Sequence, residues 1–81
     1  MPESSRMLID DYCFKYNKSK KSKRLQDILF RTYDPHTLFS RDDILFVDGL
    51  VFNESNPKML KALQDLYNYI STHGILDSEP S

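Results

Sequence analysis

The chain has 81 residues, with 11 Lys and Arg against 12 Asp and Glu and a formal net charge of -1. This length allows one domain with a small core, and the charge balance excludes a generally basic protein. A hydrophobic content of 40%, with five Tyr and five Phe, exceeds what a disordered chain carries. The single cysteine excludes an internal disulfide, and no apolar run is long enough for a transmembrane helix. Because no signal-peptide pattern opens the chain either, we predict an intracellular protein, cytoplasmic or nuclear, that does not act at a membrane.

Both ends of the chain are polar and offer no core residues. We therefore predict frayed termini over 1–4 and 77–81, and a single globular domain over 5–76.

The first helix is predicted to begin near Ser4 or Ser5, because either serine can act as its N-cap. Its apolar stripe repeats at helical spacing and consists of Ile9, Tyr12, Cys13 and Tyr16. The helix is expected to fade near Asn17. A thiol on such a stripe is buried and behaves as a small hydrophobe, so Cys13 is expected to be inert.

A run of positive charge without any acid follows this helix, and it consists of Lys15, Lys18, Lys20, Lys21, Lys23 and Arg24. We predict that the run forms the loop between the first two helices. One interpretation is a solvated linker, and the other is a loop that contacts the phosphates of a nucleic acid. Ser19 and Ser22 lie inside the run, where phosphorylation would cancel part of its charge.

The second helix is predicted from an apolar stripe that consists of Leu25, Ile28, Leu29 and Tyr33. It should end at Asp34-Pro35, because the residue before a proline avoids the helical conformation.

The segment over 40–53 admits two structures. Ser40 followed by Asp43 is typical of a capping box, which predicts a helix of two turns closed by Gly49. Asp48-Gly49 between two apolar runs is instead typical of a β-hairpin. The fold class that we predict is therefore mostly α, a small bundle of three longer helices plus a short fourth element, which is either this short helix or the hairpin.

The last helix has the clearest signals. Asn56 can cap it, Pro57 suits its first position and Gly74 suits its exit. Its wide apolar stripe consists of Met59, Leu60, Leu63, Leu66, Tyr67 and Ile70.

The inventory of reactive residues argues against catalysis. Beyond common serines and aspartates, the only nucleophile or base candidates are Cys13, His36 and His73. Neither Cys-x-x-Cys nor His-x-x-x-His occurs, and two glycines cannot form a glycine-rich phosphate loop. We expect no catalytic residues, no metal site and no cofactor.

Two binding functions remain. The order of the last two elements, over roughly 36–76, resembles the general pattern of winged helix-turn-helix cores, with a bend at Asp48-Gly49. This resemblance implies that the last helix reads DNA, although it offers only Lys58 and Lys61 for contacts. A nucleic-acid-binding protein that uses this core or the basic loop 15–24 is thus one hypothesis.

The other hypothesis is a protein-binding module. Four phenylalanines lie outside the clearest helical stripes, and either they complete the core or they form an interface, namely Phe30, Phe39, Phe46 and Phe52. Surplus apolar surface commonly marks an interface. Our first prediction is a non-enzymatic protein-binding adaptor or regulatory module that also has the means to form a homo-oligomer.

Overall fold

The structure, a computed structural model, describes residues 1–15 and 19–73. Four helices account for most of them, namely α1 (Glu3–Lys15), α2 (Lys20–Arg31), α3 (Arg41–Asn53) and α4 (Pro57–Thr72). No strand occurs among these residues. The predicted, mostly helical fold is confirmed. None of the four helices is both long and apolar enough to cross a membrane.

The prediction of a β-hairpin over 40–53 is wrong, and so is the prediction that a short helix stops at Gly49. The capping box is present, because the Ser40 hydroxyl accepts from the Asp43 amide and the Asp43 carboxylate accepts from the Ser40 amide. From this start α3 continues through Gly49 to Asn53. An interior glycine costs a helix only about 1 kcal/mol, whereas the hairpin would have needed cover on two apolar faces. The bend at Asp48-Gly49 that the helix-turn-helix pattern requires is therefore absent.

Most of the basic run is helical, so its prediction as a loop is wrong at Lys15, which ends α1, and from Lys20 onward. Ser19 caps α2, and its hydroxyl accepts from the Lys21 amide. Lysine and arginine are good helix formers, which lets the helix begin inside the run. Lys18 and the predicted fading point at Asn17 lie outside the described residues.

The ends of α1 and α4 follow the sequence signals in part. α1 begins at Glu3, ahead of both serines that the sequence suggested as caps. Asn56 caps α4 as predicted, since its side chain accepts from the amides of Lys58 and Met59. Pro57 opens that helix. The predicted exit at Gly74 lies outside the described residues.

All four helices contribute to one core. α4 packs against both α1 and α3, and α1 also packs against α2. The core consists of Ile9, Cys13, Leu25, Ile28, Leu29, Phe39, Val47, Met59, Ala62, Leu63, Leu66 and Ile70. α4 supplies five of these residues, which agrees with the wide stripe read from its sequence.

Hydrogen bonds between helices fix their directions. Ser5, near the start of α1, donates to Asp65 in the second half of α4. Arg6 donates to the carbonyl of Thr32 just beyond α2, at 3.1 Å. α1 therefore runs antiparallel to both α4 and α2. The short turn from α3 to α4 makes that pair antiparallel as well. The starts of α2 and α4 consequently lie at one end of the molecule, and the starts of α1 and α3 at the other.

Phe39 lies in the connection between α2 and α3, and it belongs to the core. Its side chain is fully buried. The ring of Tyr69 meets it edge-on, with 6.5 Å between centroids, and the Arg31 guanidinium lies 5.3 Å from its centroid. The prediction of Phe39 as an interface residue is therefore wrong. A connecting segment places this side chain in the core, although it belongs to no helical stripe.

Candidate protein-binding surface and basic end

The outer side of α3 exposes two large apolar residues. Phe52 is 87% exposed and Leu45 is 58% exposed. They are seven residues apart, which places them about 20° from each other around a helix. Val47, on the opposite side of α3, is fully buried. We call Leu45, Gly49 and Phe52 the α3 face.

Gly49 lies between these two side chains on the α3 face. A Cβ atom built at this position meets nothing within 4 Å. The residue sits inside the helix, so neither a tight turn nor a close internal contact requires glycine here. An interior glycine nevertheless destabilises a helix by about 1 kcal/mol relative to alanine. No packing contact within the fold therefore requires glycine at position 49.

The four candidate interface residues do not form one surface. Phe52 and Phe30 are exposed on different helices, α3 and α2, and Phe39 is in the core. Phe46 is half-buried beneath Arg24, whose guanidinium lies 4.7 Å from the ring centroid. Leu45 is not among the residues predicted from the sequence, although its spacing of seven residues from Phe52 on a helix would have indicated a shared face.

The outer side of α1 exposes a second apolar pair, which is also absent from the residues predicted from the sequence. Met7 is 65% exposed and Phe14 is 76% exposed. These two residues are again seven apart, on the side of α1 away from buried Ile9 and Cys13. The predicted stripe of this helix recorded only its inward-facing residues.

Positive charge gathers where α2 and α4 begin. Neither helix has an acidic residue in its first turn, so the positive end of each helix dipole is not offset there. We define the basic end as the exposed lysines Lys15, Lys20, Lys21, Lys23 and Lys58. The opposite end carries acids in the first turns of α1 and α3, namely Glu3, Asp42 and Asp43.

Arg24 is the member of the basic run that the fold itself uses. Its guanidinium lies 3.5 Å from the Asp43 carboxylate and covers the Phe46 ring. For Lys20, Lys21 and Lys23, by contrast, no carboxylate of residues 1–15 and 19–73 lies within salt-bridge distance. Lys20, Lys21 and Lys23 therefore carry free positive charge in the described part of the run.

A groove of about 370 Å³ opens between α1 and the start of α4. Its charged lining consists of two acids, Asp11 and Glu54, and two bases, Lys15 and Lys58. Leu8 and Met59 give it apolar walls. The balanced lining does not select one sign of ligand charge, so we do not treat the groove as a separate site.

Asp43 joins α3 to α2. Arg31 donates to its carboxylate at 3.0 Å. Burial by itself would raise the pKa of Asp43, but the charge and hydrogen bond of Arg31, together with the bonds from Ser40, lower that pKa below its usual 3.8. The same arginine also meets Asp27 at 3.2 Å, which extends the ion pairs along α2. The network is structural, because the Asp43 carboxylate is held by Arg24, Arg31 and Ser40 of the chain itself.

The three reactive residues have different surroundings. Cys13 is buried, and burial followed by the nearby charge of Asp10 raises its pKa to about 11, so it remains a thiol. His73 stacks on Tyr69 with 3.8 Å between ring centroids, and its Nδ1 lies 2.8 Å from the Tyr69 carbonyl oxygen. His36 is exposed in the turn after α2. In the part of the chain that the structure describes, no three His, Cys, Asp or Glu residues come close enough to hold a metal ion.

The chain matches no protein-family model, no curated protein and no solved structure.

Proposed function

We propose that the chain is a protein-binding module that engages an amphipathic helix of a partner protein through the α3 face. The observation that carries the proposal is the exposure of Phe52, at 87%, beside Leu45 on one side of a helix. Leaving such side chains in water forgoes about 1.5–3 kcal/mol of burial energy each. A partner that covers them would recover it.

The chemistry of the α3 face indicates the form of the partner. Gly49 leaves the backbone of α3 accessible, so a partner helix can approach it closely between Leu45 and Phe52. Asp42 and Asp48 are exposed on the same helix. We therefore expect the partner helix to carry an apolar stripe flanked by Lys or Arg, because opposite charges favour both register and association rate.

A selection from a displayed library of helical peptides tests this proposal. Peptides chosen against the wild-type chain should have the expected stripe and basic flanks. Their affinity should fall at least tenfold, or about 1.4 kcal/mol, for the Leu45→Ser, Phe52→Ser double variant. Phe30→Ser serves as the control, because it removes an exposed phenylalanine ring from another helix. Equal affinity for the α3 variant and the wild type would contradict the proposal.

Gly49→Ala separates binding from stability. The added methyl group meets no atom of the chain, so the variant should be more stable by about 0.5–1 kcal/mol through helix propensity alone. The same methyl group should hold a partner helix away from α3 and weaken peptide affinity. Urea unfolding and peptide titration would measure the two effects. A variant that gains stability without losing affinity would leave Gly49 without a role in binding.

Nucleic-acid binding through the basic end is our second candidate function. The observation that favours it is the coincidence of unpaired lysines with the starts of α2 and α4, where the positive ends of the two helix dipoles also attract phosphate. The contact would be with phosphates rather than bases, because lysines without arginine or asparagine read base edges poorly.

Titration against random single-stranded and duplex DNA at two salt concentrations tests the second candidate. Engagement of about four phosphates would give a slope of log affinity against log salt near -3 to -4. Lys21→Ala should weaken binding and reduce this slope by about 1. Arg41→Ala, an equal change of charge at the start of α3, is the control. Absence of binding even at low salt would exclude this candidate.

A further inference from the structure

The side of the molecule formed by α1 and α2 combines exposed apolar residues with unpaired charges of both signs. On α1, Met7, Asp10 and Phe14 fall within about 60° around the helix. On α2, Lys23 and Phe30 fall within about 20° of each other in the same way. Phe30 is 56% exposed, and all five residues are accessible. We call these five residues the pairing face.

The contacts between α1 and α2 fix how the two halves of the pairing face are aligned. The Arg6 side chain bonds the Thr32 carbonyl and covers the Tyr33 ring, so the start of α1 lies near the end of α2. Because the helices are antiparallel and rise 1.5 Å per residue, Met7 and Phe30 lie within about one helical turn of each other along the molecule. Phe14 and Lys23 are each seven residues further along, which places them about 10 Å away with the same offset between them.

The charges of the pairing face are complementary between its two halves. The α1 half carries Asp10, and the α2 half carries Lys23. Among the described residues, neither has a salt-bridge partner. Asp27, the acid on α2 nearest to this surface, is already paired with Arg31 at 3.2 Å. One half is thus acidic, the other is basic, and a single chain holds both.

We propose that the pairing face binds the same face of a second copy of this chain, about a twofold axis parallel to the helices. This rotation sets α1 of each copy on α2 of the other at an unchanged level. Met7 then meets Phe30 of the second copy in a sulfur–aromatic contact. Phe14 meets the stem and ammonium group of Lys23 of the second copy, and Asp10 lies within reach of that same ammonium group. Each contact occurs twice.

Met7 and Phe30 from both copies lie at one level around the twofold axis and form one cluster of four side chains. Phe14 and Lys23 from both copies surround the same axis about 10 Å further along. Apolar contacts accompanied by polar ones are usual in specific interfaces. The face is two helices wide and about 20 Å long, which corresponds to the lower end of specific interfaces, near 1,200 Å² in total. The dissociation constant of the dimer is therefore expected to lie between about 1 µM and 1 mM. This inference goes beyond the proposed function, since it uses a surface other than the α3 face.

Sedimentation equilibrium over that concentration range tests the inference. It measures the dimer fraction of the wild type and of variants in which the charge of Asp10 or of Lys23 is reversed. Asp10→Lys and Lys23→Asp should each be monomeric where the wild type is dimeric, because each variant sets like charges against each other in both contacts. An equimolar mixture of the two variants should dimerise again, since the introduced lysine of one meets the introduced aspartate of the other. Circular dichroism would verify that each variant is folded.

Two further variants locate the interface. Met7→Ser with Phe30→Ser should raise the dissociation constant at least tenfold, whereas Leu45→Ser with Phe52→Ser should leave it unchanged. A wild-type chain that stays monomeric throughout would overturn the inference. A dimer that persists in both Asp10→Lys and Lys23→Asp would also overturn it. So would a dimer that dissociates only when Leu45 and Phe52 are replaced. None of these results would affect the peptide selection, which measures the α3 face alone.

Discussion

Replacing Phe39 with alanine is expected to lower the free energy of unfolding by about 3–5 kcal/mol. The ring is fully buried in the connection before α3, where Tyr69 of α4 and Arg31 of α2 both contact it. Removing it leaves a cavity where three elements meet, and the connecting segment loses its attachment to the core. Because domains of this size have only about 5–15 kcal/mol of stability, the variant should unfold at a much lower urea concentration.

Phe52→Ala is the matched control for this prediction. It removes the same side chain from a position that is 87% exposed, so the free energy of unfolding should change by no more than about 0.5 kcal/mol. Urea unfolding followed by circular dichroism measures both variants. Similar losses from the two phenylalanines would contradict the assignment of Phe39 to the core and of Phe52 to the surface.

Asp43→Asn is expected to cost about 1–3 kcal/mol at neutral pH. The amide keeps an oxygen for the Ser40 amide but loses the charge that Arg31 and Arg24 face. Both arginines are partly exposed, so water compensates part of this loss and keeps it below that of a fully buried ion pair. Asp42→Asn is the control, because Asp42 lies in the same first turn but is exposed.

The loss caused by Asp43→Asn should depend on pH with a defined sign. The pKa of Asp43 is lower in the folded chain than its ordinary value of 3.8. Its stabilising contribution is therefore complete above about pH 4 to 5 and is lost as the pH falls through the folded pKa. Unfolding measured between pH 7 and pH 2 should show the wild type and the variant converging in acid. A difference that stays constant with pH would show that the ion pairs contribute no pH-dependent stability.

The sequence predicted those parts of the fold that depend on neighbouring residues. The cap at Asn56 with Pro57, and the capping box from Ser40 to Asp43, are local interactions, so their signals survive in the structure. The choice between helix and hairpin at Asp48-Gly49 was different. It depended on whether a second sheet face could find cover, which is a property of the whole molecule.

The candidate surface was less predictable than the fold. Periodicity identifies the residues that face the core, but exposed Met7, Phe14 and Leu45 are recognised only after the inward side of each helix is known. Phe39 shows the converse limit, because a residue in a connection has no period to reveal its burial. The pairing of Asp43 with Arg24 and Arg31 joins residues that are distant in sequence, and only the packing of α3 near α2 brings them together.

The antiparallel order of the helices also determines how the electrostatic field is distributed around the molecule. The basic end and the opposite end, where the first turns of α1 and α3 carry Glu3, Asp42 and Asp43, are separated by the length of the helices, about 20 Å. At 0.1 M salt, electrostatic fields fade over about 10 Å, so an approaching ion or macromolecule responds to one end without sensing the other. The near-zero net charge therefore describes neither end. Changes of ionic strength should alter the orientation in which a charged macromolecule first meets the chain, even though the net charge of the chain predicts no attraction.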